Sequence, residues 1–461
     1  MRTLDHWAHR LLQVPLLIEC PSMQVIGYDH EEPLFIGPGH ISITSRTEME
    51  FVMHGKPTDA QKAYKRLMHA NENPFVNLDQ LRVLAIDYEG VEWNCGWADV
   101  RMGDTAQGIW RLSGSLQAMM TMASGTRVRR EASVEVVYDA WLDVPIPLLT
   151  RKAVRERADS MFSSGDGVGQ QHIVEVEGGR IAFSQTWNDH RLWVSASGFE
   201  PLPGVFLENW IGEPLNILLG QLVYPRLIAR NMGDGTALVA LRNVSEHAAD
   251  TRISSLLCQS KRRHSEAFWE MYRLLMSMII RAGQEKTEPN LEMHPLTHFY
   301  QEIAQATTGS HWVLCMTLAS AIEGVTNLMF PAPKQVRVPD DEADAWETSI
   351  RSLEAHVLSW EGERKLRERL MDSLRLVRAK GVVQRLKPLV DSGTIDKEHL
   401  EAWRRVRNSV MHGNLVSPWL TEELEQKLNR LAELTHRLSE AYIRQCAEQP
   451  APRPHLLVPT K

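Results

Sequence analysis

Cysteine is scarce and never paired along this 461-residue chain. Cys20, Cys95, Cys258, Cys315 and Cys446 are odd in number, and no two share a Cys-x2-Cys spacing. That argues against a disulfide framework or a zinc cage, and for a reducing, cytoplasmic compartment. His-Glu-x2-His is absent, and so is a Gly-Lys-Ser/Thr phosphate loop. The glycine-rich Ser163–Gly169 lacks that ending and reads as a flexible turn. No metal or other cofactor is therefore expected. The first twenty residues lack the charged-then-apolar layout of a signal peptide. No repeat of solenoid period occurs. One apolar run, His311–Phe330, is long enough to span a bilayer, but it carries Glu323, Asn327 and several hydroxyls. It reads as a buried core helix, and no membrane partner is expected.

A surplus of positive charge is also missing, since the net charge is −7. The distribution is uneven. Residues 1–250 carry 22 Lys+Arg against 31 Asp+Glu, and residues 251–461 carry 29 against 27. Of the two halves, the second is better suited to meet RNA.

The hydrophobic pattern predicts an α+β multidomain chain. In residues 1–262, short runs rich in β-branched residues recur between Gly, Pro, Asn and Asp breaks. They include His40–Met53, Leu81–Trp93, Ala132–Trp141, Leu192–Ser197 and Thr236–Arg242. Ile173–Phe183 reads as a hairpin turning at Gly178-Gly179. A β-rich sandwich or barrel-like domain is expected, with Phe206–Arg230 as a broken helical segment capping its sheet. From Ser265 the period becomes helical: Phe268, Tyr272, Leu275 and Ile279 share one face. Residues 263–446 are expected to form an all-α module and 447–461 a disordered, proline-rich tail. Further helices are expected at Leu296–Ala306, along Trp346–Trp360, over Arg364–Lys380, from an N-cap at Asp396 to Gly413, and from Ser417-Pro418 onward.

Within that module, Arg407-Asn408-x3-His412-Gly413 carries residue types suited to cleaving RNA by internal attack. On a helix Asn408 and His412 stand one turn apart, and Arg407 lies at the edge of the stripe Leu400, Trp403, Val406 and Val410. Histidine exchanges protons near neutral pH, and a fixed guanidinium stabilises a phosphorane. The nucleophile is the substrate's own 2′-hydroxyl, so the chemistry needs no metal. One chain supplies one such histidine; a symmetric dimer would supply a base and an acid. The spacing alone is weak. A surface arginine and histidine at a helix end give the same pattern, and Arg242-Asn243-x3-His247 repeats it after a predicted strand.

The stretch Arg407–Gly413 inside a helical module resembles the signature of HEPN domains, small helical bundles that are usually dimeric and in many cases ribonucleases. A β-rich domain ahead of it is similar to the ApeA-like branch of anti-phage defence proteins. The resemblance implies that Arg407 and His412 are catalytic and Asn408 supports them. It further implies a homodimeric helical domain that cuts RNA, transfer RNA or message, into 2′,3′-cyclic phosphate products, and an N-terminal domain that senses a phage-derived or other trigger. The alternatives are a non-catalytic HEPN sensor or scaffold, and a ligand-binding protein acting through the β-rich domain.

Three other features stay open on sequence grounds. Arg364–Lys387 holds nine basic residues against two acidic ones, as an RNA track or a solvated helix face. Glu323 needs a cationic partner, Arg407 or a neighbour, for structure or for the site. Trp93, Trp97, Trp141, Trp187 and Trp193 are core residues or line a ligand face. Lys261–His264 reads as a basic linker.

Overall fold

The computed structural model describes residues 2–27, 32–72, 80–146, 171–186, 190–199, 207–245, 249–284, 293–331, 341–378, 381–411 and 421–448. Ser163–Gly169, Trp187, His247, His412, Gly413, Ser417-Pro418 and the tail from residue 449 lie outside the described residues. The chain divides into two compact units, Met1–Thr297 and His298–Pro450.

The first unit contains α1 (Thr3–Leu11), β1 (Leu16–Ile26), β2 (Phe35–Ile43), β3 (Met49–Pro57), α2 (Ala60–Glu72), β4 (Leu81–Ile86), β5 (Glu92–Ala106), β6 (Ile109–Leu116), β7 (Ala118–Ser124) and β8 (Ser133–Tyr138). It continues through β9 (Gln171–Val176), β10 (Gly179–Thr186), β11 (Arg191–Ser197), α3 (Leu207–Leu219), β12 (Leu227–Asn231), β13 (Thr236–Arg242), α4 (Thr251–Ser254), α5 (Gln259–Arg263) and α6 (Ser265–Gln284). The strands form one antiparallel sheet. Six of them, in the order β4-β1-β2-β3-β6-β5, close into a ring through β4–β5 pairing. The sheet then runs on as β7-β13-β12-β8-β11-β10-β9, joined to the ring by the single pair Asn94↔Met120.

Alternation builds the core. Along β3, Met49, Phe51 and Met53 are buried while Glu50 and His54 face out. They join Phe35, Val83, Trp93 and Leu112 in one apolar cluster, as expected for a strand with one face in a core. The runs His40–Met53 and Leu81–Trp93 are each split by a turn, into β2/β3 and β4/β5. The β9–β10 hairpin turns one residue earlier than its Gly-Gly pair suggests. Val176 pairs with Gly179, and Glu177 and Gly178 take φ of 48° and 80°, the two positive φ values of a primed turn. In Phe206–Arg230 the helical half is α3, almost wholly buried, but Leu227–Asn231 is a strand.

The periodic stripe of α6 is buried as read, yet its partners are in the first unit. Tyr272 donates to the Ile211 carbonyl at 3.0 Å, Trp269 stacks on His172 at 4.1 Å, and Tyr272 meets Phe183 edge-on at 5.1 Å. The division of the chain therefore falls after Thr297 and not near residue 262. Arg262, read as part of a linker, is 9% exposed and donates to the Leu219 carbonyl at 3.4 Å.

Among the described residues the second unit is all helix. It takes most of α7 (Pro295–Ala306), then α8 (His311–Met329), α9 (Asp341–Ser359), α10 (Arg364–Arg378), α11 (Val382–Asp391), α12 (Lys397–Met411) and α13 (Glu422–Glu448). α8 is the central element, packed against α13, α12 and α11. It is long and apolar enough to cross a membrane, but half of its length-defining stretch is buried within the protein, including Leu314, Leu318, Ile322 and Val325. Ser310 caps its start, accepting from the Val313 amide at 3.3 Å. α9 follows the predicted period only in part: Ile350 and Val357 are buried, while Leu353 and Trp360 are exposed. At α13 the cap among the described residues is Thr421, whose Oγ accepts from the Leu424 amide at 3.2 Å.

Candidate active site

α12 begins where the sequence places it. The Asp396 carbonyl accepts from the His399 and Leu400 amides, and Leu400, Ala402, Trp403 and Val406 are buried against the bundle. The indole of Trp403 donates to the Ala319 carbonyl of α8 at 3.2 Å. One turn further on, Arg407 Nε donates to Glu323 Oε1 at 2.9 Å. Each contact joins residues 84 apart in the chain, so α8 and α12 run side by side in the same direction through these two turns. Helical spacing on both elements thus brings together the two polar residues that sequence polarity singled out.

The pair is half-exposed: the side chains of Arg407 and Glu323 retain 43% and 35% of their accessibility. Glu323 is therefore not the fully buried carboxylate its apolar surroundings in the sequence suggest. The ion pair engages Nε. Among the described residues the terminal nitrogens of Arg407 have no hydrogen-bond partner, leaving four N–H donors for an oxyanion. Asn408 is exposed beside it. His412 lies just past the last described residue of α12, so its contacts with Arg407 are not defined.

The other copy of the motif is used otherwise. Arg242 closes β13 and pairs with Glu208 at 3.5 Å, and Asn243 donates to the Leu116 carbonyl at 2.6 Å. The basic stretch forms α10 and α11, with Arg364 paired to Glu368 at 2.8 Å and Arg385 donating to the Phe330 carbonyl at 3.2 Å. Of the tryptophans in the first unit, Trp93 is core, Trp97 lies under the Arg82 guanidinium at 4.3 Å, and Trp141 is 40% exposed.

Several clusters of charged residues carry no signal as sites in the sequence. Asp396, His399 and Glu433 converge in the second unit, with His399 Nε2 at 3.2 Å from Glu433. Arg437 bridges Asp396 and Glu433 at 3.1 and 2.6 Å, so the carboxylates already have a cation. In the first unit, buried Arg226 donates to the Arg46 and Ser45 carbonyls at 2.6 and 3.1 Å. Buried Glu135 accepts from the Thr3 and Leu4 amides at the start of α1. Glu213 is 1% exposed; one oxygen accepts from Thr297 Oγ at 2.7 Å and the His294 amide at 3.0 Å. Burial outweighs those two bonds and pushes its carboxyl up to about 7. Its neighbour His294 is pushed down to about 4 by the same burial. The only sequence signal for Glu213 was its place inside the apolar run Trp210–Leu219.

No protein-family profile, curated protein or solved structure matches the chain.

Proposed function

We propose that the chain is an endoribonuclease of bacterial anti-phage, abortive-infection defence, with a HEPN-type helical module acting as a homodimer and a β-rich domain recognising the trigger. The observation that supports it is the half-exposed Arg407, held through Nε by Glu323 with its terminal donors uncommitted among the described residues, five residues before His412 in the sequence.

In this reading a histidine base takes the proton from a ribose 2′-oxygen as that oxygen attacks the adjacent phosphorus. The P–O5′ bond breaks, and an acid, the partner protomer's equivalent histidine, returns a proton to O5′. The products are a 2′,3′-cyclic phosphate and a 5′-hydroxyl. Arg407 binds the non-bridging oxygens as their charge grows, and Asn408 supports the histidine or holds one of those oxygens. The attacking oxygen belongs to the substrate, so the mechanism calls on no metal.

RNA integrity in cells making the wild type, Arg407→Ala or His412→Ala, with and without phage infection, tests the reading. Fragmentation in the wild type alone is the expected result. Intact RNA in every arm would leave the helical unit a sensor or scaffold.

A further inference from the structure

The ring of the first unit and the open sheet beyond it meet at one residue pair, and there the two strands part. Asn94 of β5 pairs with Met120 of β7. In register the next rung would be Glu92 with Met122, and that rung is not made. The gap is a cleft of about 810 Å³ whose wall includes the unbroken runs Glu89–Asn94 and Met120–Ser124. A strand lines a cleft with consecutive residues only when its edge faces that cleft.

The direction of the peptide groups follows from the ladders. The Gly125 amide donates to the Gly235 carbonyl and the Asn243 amide to the Gln117 carbonyl. Both pairs keep the β7–β13 register, in which Ser124 opposes Thr236. Antiparallel residues alternate between bonding a given neighbour and pointing away from it. The odd-numbered residues of β7 therefore bond β13, and the amides and carbonyls of Met122 and Ser124 point into the cleft. On the other lip, the Asp87 amide donates to the Val91 carbonyl, which by the same alternation turns the peptide groups of Glu92 toward the gap. Beyond Asn94↔Met120, no strand pairing across this gap is made among the described residues.

Side chains set the chemistry of an occupant. Met122 is 60% and Ile86 39% exposed, with Trp7 and Trp93 deeper in the cleft. Arg127, at the Ser124 end, has only the His6 ring as a partner among the described residues, at 3.2 Å. Arg10 is already neutralised by Asp87 and Glu89. The site thus offers two strand edges, an apolar floor and the Arg127 cation at the Ser124 end, with the exposed Glu92 carboxylate on the opposite lip.

We propose that this cleft receives an extended peptide of a partner protein, which adds as a strand to the open edge of β7 and sets a carboxylate side chain against Arg127. Main-chain bonds would supply the affinity, and alternate side chains over Met122 and at Arg127 the selectivity. The site does not depend on the ribonuclease reading; where that reading holds, the peptide is the chemical form of the trigger.

Selection from a displayed library of random peptides of about seven residues, enough to span Met120–Ser124 at ~3.4 Å per residue, tests this with the full chain as bait. Enriched peptides are expected to alternate β-formers and to carry an acidic residue. Met122→Pro removes an outward amide while leaving every β7–β13 bond in place, and is expected to weaken binding tenfold or more. N-methylation of alternate amides in an enriched peptide reads the same bonds on the unaltered protein. Arg127→Glu should turn the preference from acidic to basic peptides. Failure to enrich any peptide, or equal binding by N-methylated and unmodified peptides, overturns the proposal.

Discussion

Glu323 and Arg407 form an ion pair open enough to water that its contribution to folding should be under about 1 kcal/mol. Its value lies in orientation. Held by Nε, the guanidinium presents its other nitrogens to one side, and loss of that hold lets it swing among rotamers. Glu323→Ala is accordingly expected to leave the melting temperature nearly unchanged and to lower RNA cleavage about tenfold, mainly in kcat, with partial rescue by Glu323→Gln. Glu213 is the opposite case, a buried acid whose consequence is stability. Its carboxyl is raised from the usual range to about 7, so the folded state binds a proton more tightly than the unfolded chain. The associated stability is fully present below about pH 4.5 and is lost as pH rises through 7, about 3 kcal/mol in all. His294, lowered to about 4, acts the other way: its stability is present above about pH 6.5 and is lost as pH falls toward 4. The two offset each other in mildly acidic solution. Thermal unfolding of Glu213→Gln against wild type, followed from about pH 5 to pH 8, should show an advantage for the variant that grows with pH; a constant difference would contradict it. Sequence polarity could mark Glu323, a lone carboxylate in a long apolar run. It passed over Glu213, Glu135 and Arg226, because the burial of a charge is decided by elements far away in the chain.

Elements were legible where one face repeats. β11, β13, α6 and α7 match the period-2 and helical readings closely, because in each the apolar stripe is also the buried stripe. Where a tight turn carries few turn residues the reading ran two strands together, as at β2/β3. The short helix α1 escaped notice, its start being satisfied by a distant carboxylate, Glu135. α3 tolerates Pro214 and ends at Gly220, whose φ is 65°. A Cβ there would stand 2.4 Å from the Ser255 amide nitrogen. Gly220→Ala therefore combines left-handed strain with a backbone clash, and chemical denaturation should report a loss of about 2 kcal/mol or more. A neutral result would mean that the chain between α3 and α4 yields easily.

At the scale of the molecule, the sequence separated a β-rich half from a helical half but set the division too early. The change from period 2 to helical period marks where helices begin, not what they pack on, and α6 packs on α3 and β9. A fragment of residues 1–297 should be monodisperse and unfold cooperatively. One ending at residue 262 uncovers Phe183, His172 and the Ile211 turn that α6 covers, and should aggregate or melt at lower temperature. Equal behaviour of the two fragments would return the boundary to its sequence-based place. The motif itself was fully legible; its pairing with Glu323 needed the shared register of α8 and α12. The most direct measurement of the central claim is cleavage of end-labelled RNA by the purified chain in EDTA, with the termini identified. The account predicts 2′,3′-cyclic phosphate and 5′-hydroxyl ends, with the rate reduced about 100-fold or more in Arg407→Ala and in His412→Ala. Cleavage that survives either substitution, or that stops in EDTA, would contradict it.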